Sequence, residues 1–385
     1  MDKLEKVALI SCSTYEIEFV RKAIRDAFVQ LGGVEQYIQP GDKVLLKANL
    51  LMKKNPEEAA TTHPAIVQAL AEILVQHGAT VIIGDSPGGP FSEKHLKGVY
   101  KVCGMEEAAK ASGAVLNYDI SHIEVKGENL KLLKNLTVIN VLEEVDKVIS
   151  VSKLKTHGMA LYTGAVKNMF GVIPGLLKAE YHFKMPEIKD FSDALLDICQ
   201  YANPILSFMD GIVGMEGDGP SAGIPREIGV VLASPSPYHL DVVGAALIGL
   251  TPSEVPTIAR SIERNICRGT LADIEILGTS IEAFIKRDFK VPSIRSVSFL
   301  KGKMPKLIER PINRLLQPKP VFLHDLCIGC RDCEESCPPK IIKMEKNRPV
   351  ADLNHCIRCF CCQELCPKKA VQIHRPWLLD KIVKW

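Results

Sequence analysis

The sequence predicts a layered α/β domain with a mostly parallel sheet, followed by a small α+β domain built on a cysteine frame. Three observations carry that prediction. Short apolar runs of strand length alternate with helical stretches over roughly the first 280 residues, as in a chain of strand–helix–strand units. Nine of the thirteen cysteines fall between 327 and 366. Between these regions, residues 284–320 are rich in lysine and arginine, hold only Asp288 and Glu309 as acids, and are interrupted by proline. The expected organisation is therefore an α/β domain over 1–283, a basic Pro-containing linker over 284–320 and the cysteine-framed domain over 321–385.

Residues 7–11 read as a strand, and 17–31 as an amphipathic helix closed by Gly32-Gly33, since glycine accepts the left-handed turn past a helix end. Residues 43–49 form a second strand. Thr61-Thr62-His63-Pro64 then opens a helix to about 77, with proline suited to its first turn. The strand 80–84 runs into Asp85-Ser86-Pro87-Gly88-Gly89, and further strands follow at 115–118, 136–140 and 147–151. The glycine-rich stretch 153–183 fits no single class. Beyond it come a helix at 188–201, strands at 205–209 and 227–233, a helix from Leu240, another around 254–267 and a strand at 274–277. The basic stretch 284–320 suits a strap with solvated charges, before a contact with an anionic membrane or nucleic acid or with an acidic electron-transfer partner.

The cysteines give the sharpest chemistry. Cys327, Cys330, Cys333 and Cys337 are spaced C-x2-C-x2-C-x3-C with Pro338 next, and Cys356, Cys359, Cys362 and Cys366 repeat the frame with Pro367. This is the two-cluster ferredoxin spacing, in which the fourth cysteine of each run serves the other cluster. The expected ligand sets are Cys327, Cys330, Cys333 and Cys366 for one [4Fe–4S] cluster, and Cys356, Cys359, Cys362 and Cys337 for the second. Zinc sites come as separated C-x2-C pairs and disulfides need an oxidising compartment; neither predicts a doubled eight-cysteine frame. Cys361, beside Cys362, reads as a spare packed thiol, the alternative being that it takes over ligation from its neighbour.

Composition narrows the rest. A net charge of +3 over 385 residues gives no general case for nucleic-acid binding. The apolar run 7–10 is too short for a signal-peptide core, and 242–250 is far below a membrane span. The expectation is a soluble, cytoplasmic protein without a transmembrane segment.

A ligand pocket is expected where Lys153, Lys155, His157, Lys167 and Asn168 gather among glycines after the strand at 147–151, because α/β domains place ligands at the carboxyl ends of strands. Ammonium groups and glycine-permitted N–H groups together hold a carboxylate or phosphate. Lysines buried together also depress one another's pKa, which suits a base or nucleophilic amine. Asp85, Ser86 and Asn49 occupy similar strand ends. Asp210, Glu216 and Asp218 could bind Mg²⁺, pair with these lysines, or simply sit solvated in a turn. His63 has the position of a helix-cap histidine, and would join the pocket only by facing His157.

The run KLKTHGMALYTGAVKNMFGVIPGLLK (153–178), with Gly84-Asp85-Ser86 and DGIVGMEGDGPSAGIP (210–225), resembles domain-of-unknown-function family 362. Many members of that family carry a C-terminal double-cluster ferredoxin module. A fainter likeness is to the nickel-pincer lactate racemases, in which a histidine precedes a cofactor-bearing lysine by ten residues, as His157 precedes Lys167. Thr62-His63-Pro64 is similar to their earlier histidine motif, and His182 falls near their metal-binding histidine. That likeness implies Lys167 as an anchor and His63 and His157 as proton carriers. The chain has Thr163-Gly-Ala-Val where those enzymes have Ser-Gly-Gly, so the pocket is carried over and the reaction is not.

Taken together, these readings predict an iron–sulfur oxidoreductase. Two [4Fe–4S] clusters would exchange electrons with a donor or acceptor protein and with a small anionic ligand held by Lys153, Lys155, His157, Lys167 and Asn168. The rival readings are a non-catalytic electron-transfer module and a racemase-like isomerase with accessory clusters.

Overall fold

The computed structural model describes residues 4–292 and 318–374; most of the expected linker, and the residues after 374, lie outside the described residues. In chain order the large domain runs β1 (Glu5–Ser11), α1 (Ile17–Gln30), β2 (Lys43–Ala48), α2 (Pro64–Gln76), β3 (Thr80–Gly84), α3 (Glu93–Val102), α4 (Met105–Ser112) and β4 (Val115–Leu116). It continues with β5 (His122–Lys126), β6 (Asn135–Ile139), α5 (Val141–Glu144), β7 (Lys147–His157), β8 (Leu161–Thr163), α6 (Ala165–Asn168), α7 (Leu177–Lys184) and α8 (Ile188–Ala202). It closes with β9 (Leu206–Glu216), β10 (Ile224–Ser234), α9 (Pro237–Leu247), α10 (Pro256–Glu263) and β11 (Ile274–Gly278). The C-terminal module holds β12 (Lys319–Phe322), α11 (Asp332–Glu335), β13 (Ile342–Glu345), β14 (Arg348–Ala351), α12 (Cys361–Glu364) and β15 (Val371–His374).

Nine strands form one sheet in the order β11-β1-β10-β9-β7-β2-β3-β4, with β8 paired to β7. Along that path only β10 runs against its neighbours; β8 is also antiparallel to β7. The sheet is therefore mostly parallel, as the sequence predicts. Apolar side chains alternate between its faces. Val44 and Leu46 of β2 pack with α1 and α2, while Leu45 between them packs with α8 on the opposite face. Burial on both faces is what makes these strands read as continuous apolar runs.

Several elements differ from the sequence expectation. The strand expected at 147–151 continues to His157, because Lys153, Lys155 and His157 are buried with polar partners and not solvated in a loop. The strand expected at 205–209 likewise runs to Glu216. The strand at 136–140 does not join the main sheet; as β6 it pairs with β5 in a separate hairpin. The helix around 254–267 is shorter. Phe289 is buried in the large-domain core, and the carbonyl of Lys290 accepts from Gly217 N at 2.6 Å. The start of the basic stretch therefore packs on the α/β domain.

The C-terminal module is a small strand-rich ferredoxin-like unit. β12 pairs with β15 and β13 with β14, both antiparallel. Its doubled sequence folds as a doubled backbone. Left-handed residues recur 29 positions apart at Gly329 and Arg358 (φ 71° and 60°), Arg331 and Phe360 (69° and 59°), and Lys340 and Lys369 (53° and 52°). Non-glycine residues enter that region at a cost, so its repetition marks a loop geometry that the cysteine frame requires.

Candidate functional site

The thiols of the frame gather in the crossed sets. Cys327, Cys330, Cys333 and Cys366 line one cavity, ≈ 370 Å³ counted out to its mouth, together with Ile328, Met344 and Pro349. Cys337 lies within electrostatic reach of Cys356 and Cys359, and Cys362 within reach of all three. Among the described residues, no three His, Cys, Asp or Glu side chains converge on one ion-sized point. Thiols spread around a cavity fit a multi-iron cage better than a single ion. Gly329 N approaches Cys327 Sγ at 3.4 Å and Ala370 N approaches Cys366 Sγ at 3.2 Å, contacts of the kind that tune a cluster's potential.

A second cavity, ≈ 660 Å³ counted out to its mouth, lies between the α/β domain and this module. Its floor is the carboxyl end of the parallel strands. Lys47 at the end of β2 pairs with Asp85 after β3 at 2.7 Å, both side chains almost fully buried. Asp85 also accepts from Leu50 N at 2.7 Å. A Cβ on Gly171 would collide with Asp85 and Lys47, so glycine is what lets that loop close over the ion pair. Asn168 is held by the carbonyl of Lys47 (2.9 Å) and Ser150 Oγ (3.0 Å), fixing the short helix α6 on the sheet. Asp241 caps the same helix through Ala165 N (2.6 Å) and Val166 N (3.1 Å), and burial raises its carboxyl pKa to about 7.

Lys167 projects from this anchored helix into the cavity. Among the described residues its ammonium makes no hydrogen bond or ion pair, and it lies over the Phe170 ring, 5.7 Å from the centroid. Opposite, Lys178 donates to Ser86 O (2.7 Å) and Ser86 Oγ (3.2 Å). Burial pulls Lys178 down to about 7. It does the same to Lys155, helped by Lys167, and Lys155 donates to Asn49 Oδ1 (2.7 Å) and Ala60 O (2.6 Å).

Two buried histidines complete the surroundings. His182, 4% exposed, lines the cavity, and its Nδ1 has no partner. Burial, then Lys167, lowers it to about 3, so the ring is neutral. His157 accepts at Nδ1 from Met159 N (3.0 Å) and Ala160 N (3.1 Å), which fixes the proton on Nε2. That Nε2 is also unpartnered, 3.8 Å from a carboxylate oxygen of Glu364 in the ferredoxin-like module. The module supplies Cys361, Glu364, Leu365 and Ser336 to the cavity wall.

Of the residues expected in a pocket, Lys167, Asn168, Asp85 and Ser86 line this cavity, while Lys155 and His157 stand just behind it. Lys153 and His63 are elsewhere. Lys153 pairs with Asp210 (2.8 Å) and donates to Tyr15 OH (2.9 Å), and Tyr15 donates to the same carboxylate at 2.8 Å. His63 stacks on Tyr15, ring centroids 3.6 Å apart, and does not face His157 across the cavity. Its Nδ1 accepts from Ala65 N as a helix cap (3.2 Å). Asp210 thus takes the lysine-pairing role among its expected alternatives, and Glu216 accepts from Lys290 N at 3.1 Å. Lys47, Lys178 and Glu364 were not singled out by the sequence. Lys47 and Lys178 carry no motif of their own, and Glu364 reaches the cavity only through domain docking.

The profile of the family described as Domain of unknown function (DUF362) matches residues 44–246, more than half of the chain. The chain belongs to this family. In this DUF362 chain the cavity residues up to His182 all fall inside the matched span, and a 4Fe-4S dicluster domain matches residues 319–367. A thylakoid-associated protein of Synechocystis is 31% identical over 296 residues, covering 76% of this chain and 89% of its own. Among solved structures, the lactate racemase apoprotein of Thermoanaerobacterium thermosaccharolyticum aligns at 12% identity and a TM-score of 0.39, over 64% of this chain and 58% of its own. A Thermotoga maritima protein aligns at 12% and 0.37, over 57% and 56%. The DUF362 chain thus spans less than two thirds of either solved structure. Among its described residues, no helix is long and apolar enough to cross a membrane. Its C-terminal module is a 4Fe–4S binding unit.

Proposed function

We propose that this protein is an iron–sulfur oxidoreductase whose small anionic substrate sits between the two domains, with Lys167 as its anchor. One observation carries the reading. A cavity wall contributed by the ferredoxin-like module faces the Lys167 ammonium, which makes no hydrogen bond or ion pair among the described residues. A desolvated, unpaired charge is costly, and an anion satisfies it.

The first cluster would be held by Cys327, Cys330, Cys333 and Cys366, and the second by Cys337, Cys356, Cys359 and Cys362. When bound, such clusters supply single electrons at a potential set by burial and N–H contacts. The chain's own residues do the rest. Lys167 binds the anion and Lys178, steadied by Ser86, adds positive charge beside it. His157 presents a proton at Nε2, and neutral His182 offers Nδ1 as a partner. Phe170, Leu176 and Leu365 add apolar surface to the cavity wall. An electron-carrying partner protein would meet the module where Cys330 is exposed and Ile328 is 56% exposed beside it.

The test is reoxidation of dithionite-reduced holoprotein by a panel of reducible carboxylates, such as 2-oxo acids and 2-enoates that take up two electrons and two protons, followed anaerobically by cluster absorbance. One class of acceptor should reoxidise the wild type, and Lys167→Ala should lose that reaction while keeping its cluster absorbance. Equal rates in the two proteins would remove Lys167 and its cavity from the mechanism.

A further inference from the structure

The ferredoxin-like module does more than close the cavity, because it brings a carboxylate into it. Glu364 lies at the end of α12, two residues from Cys362 and two from Cys366, and lines the cavity with its side chain 16% exposed. Among the described residues no hydrogen bond holds its carboxylate, and its nearest cation-forming neighbour is His157 Nε2 at 3.8 Å. It is an acidic neighbour common to Lys155, Lys167 and Lys178. The other acid in the cavity, Asp85, is committed to Lys47 and Leu50 N. The backbone around Glu364 is fastened to the α/β domain: Ser221 Oγ donates to Glu364 O at 2.6 Å, and Gln363 Nε2 donates to Asp218 O at 3.2 Å. A Cβ on Gly88 would meet Leu365, the next residue, so the α/β domain leaves room for this segment.

We propose that Glu364 is a tethered counterion that occupies the cation set of the pocket and competes with the anionic ligand for it. The proposal rests on the reading of Lys167 as the anion anchor. One set of cations cannot fully neutralise both a fixed carboxylate and an incoming anion, so each weakens the other. Because such coupling is reciprocal, ligand binding loosens the contact between α12 and the α/β domain. The device also selects: an anion charged strongly enough to displace Glu364 binds, and a weak one does not.

The experiment titrates anaerobically reconstituted holoprotein with inorganic phosphate and with acetate, by calorimetry. It compares the wild type with Glu364→Gln, Glu364→Asp and Lys167→Ala, each checked for iron content and cluster absorbance. Glu364→Gln should bind roughly tenfold more tightly than the wild type, Glu364→Asp should stay near the wild type, and Lys167→Ala should lose binding. Hydrogen exchange in residues 361–365 should quicken in the wild type on addition of phosphate. Unchanged or weaker binding by Glu364→Gln, with Lys167→Ala still defective, would overturn the counterion while leaving the anion pocket standing. Tighter binding by Glu364→Asp equal to that of Glu364→Gln would show that shape acts and charge does not, and would also overturn it. Binding that is absent from every protein, or indifferent to Lys167→Ala, would sink both proposals.

Discussion

Lys153 and Lys167 come from the same glycine-rich stretch and look alike in sequence, yet their surroundings are opposite. Lys153 is sealed against Asp210 and Tyr15 in a closed circuit, in which Tyr15 OH also accepts from Val213 N at 3.1 Å. Lys167 faces open space across from another domain, with no hydrogen-bonding partner among the described residues. Burial lowers the pKa of both, opposed at Lys153 by Asp210 and at Lys167 by Glu364. The lesson is that a perturbed lysine becomes a candidate for ligand binding only when its own fold leaves it unanswered. Lys153 ties β7 to β9, whereas Lys167 is the anchor we propose for a ligand.

That contrast can be broken by mutation, starting with the largest effect. Lys153→Ala leaves Asp210 charged, buried and unpaired, and should cost about 3–5 kcal/mol in urea unfolding; a loss under about 1 kcal/mol would mean the circuit is not structural. Tyr15→Phe removes the hydrogen bond to that carboxylate and those from Lys153 and Val213 N, and should cost about 1–3 kcal/mol by the same measurement.

A pH series sharpens the other side. Lys155 and Lys178 are held at about 7 by burial, so their positive charge is half lost at pH 7 and drains away above it. Phosphate affinity per dianion should therefore fall as pH rises from 6 to 8.5; affinity rising over that range would contradict the assignment. Folding has the opposite sign. Unfolded lysines keep their protons to about 10.4, so these two groups make the ligand-free protein more stable as pH climbs above 7. The smallest effect belongs to Lys167→Ala, which should leave stability within about 0.5 kcal/mol of the wild type or raise it slightly, since it removes a partly desolvated cation and breaks no hydrogen bond or ion pair among the described residues.

Much of this molecule could be read from its residues. The parallel sheet was visible because strands buried on both faces become uninterrupted apolar runs, as at 43–49 and 80–84. The cysteine frame was visible because spacing alone dictates how a loop wraps a cluster, and the left-handed residues repeat with it. Asp85, Ser86 and Lys167 were legible as residues just beyond strand ends. The far half of β7 was not, because its lysines and histidine mimic a solvated loop until their partners on β9, at Asn49 and at Ala60 are known. Lys153 was misplaced for the same reason: nothing local distinguishes a paired ammonium from a free one. Glu364 was out of reach altogether, since its position depends on how one domain docks on another.

The most direct measurement is chemical labelling of lysines in the anaerobic holoprotein, read by peptide mass spectrometry with and without phosphate. The account predicts that Lys167 is modified in the free protein and saturably protected by phosphate, while Lys153 stays unmodified throughout and exposed Lys22 reacts equally in both. Lys167 reacting at the same rate whether or not phosphate is present would contradict it.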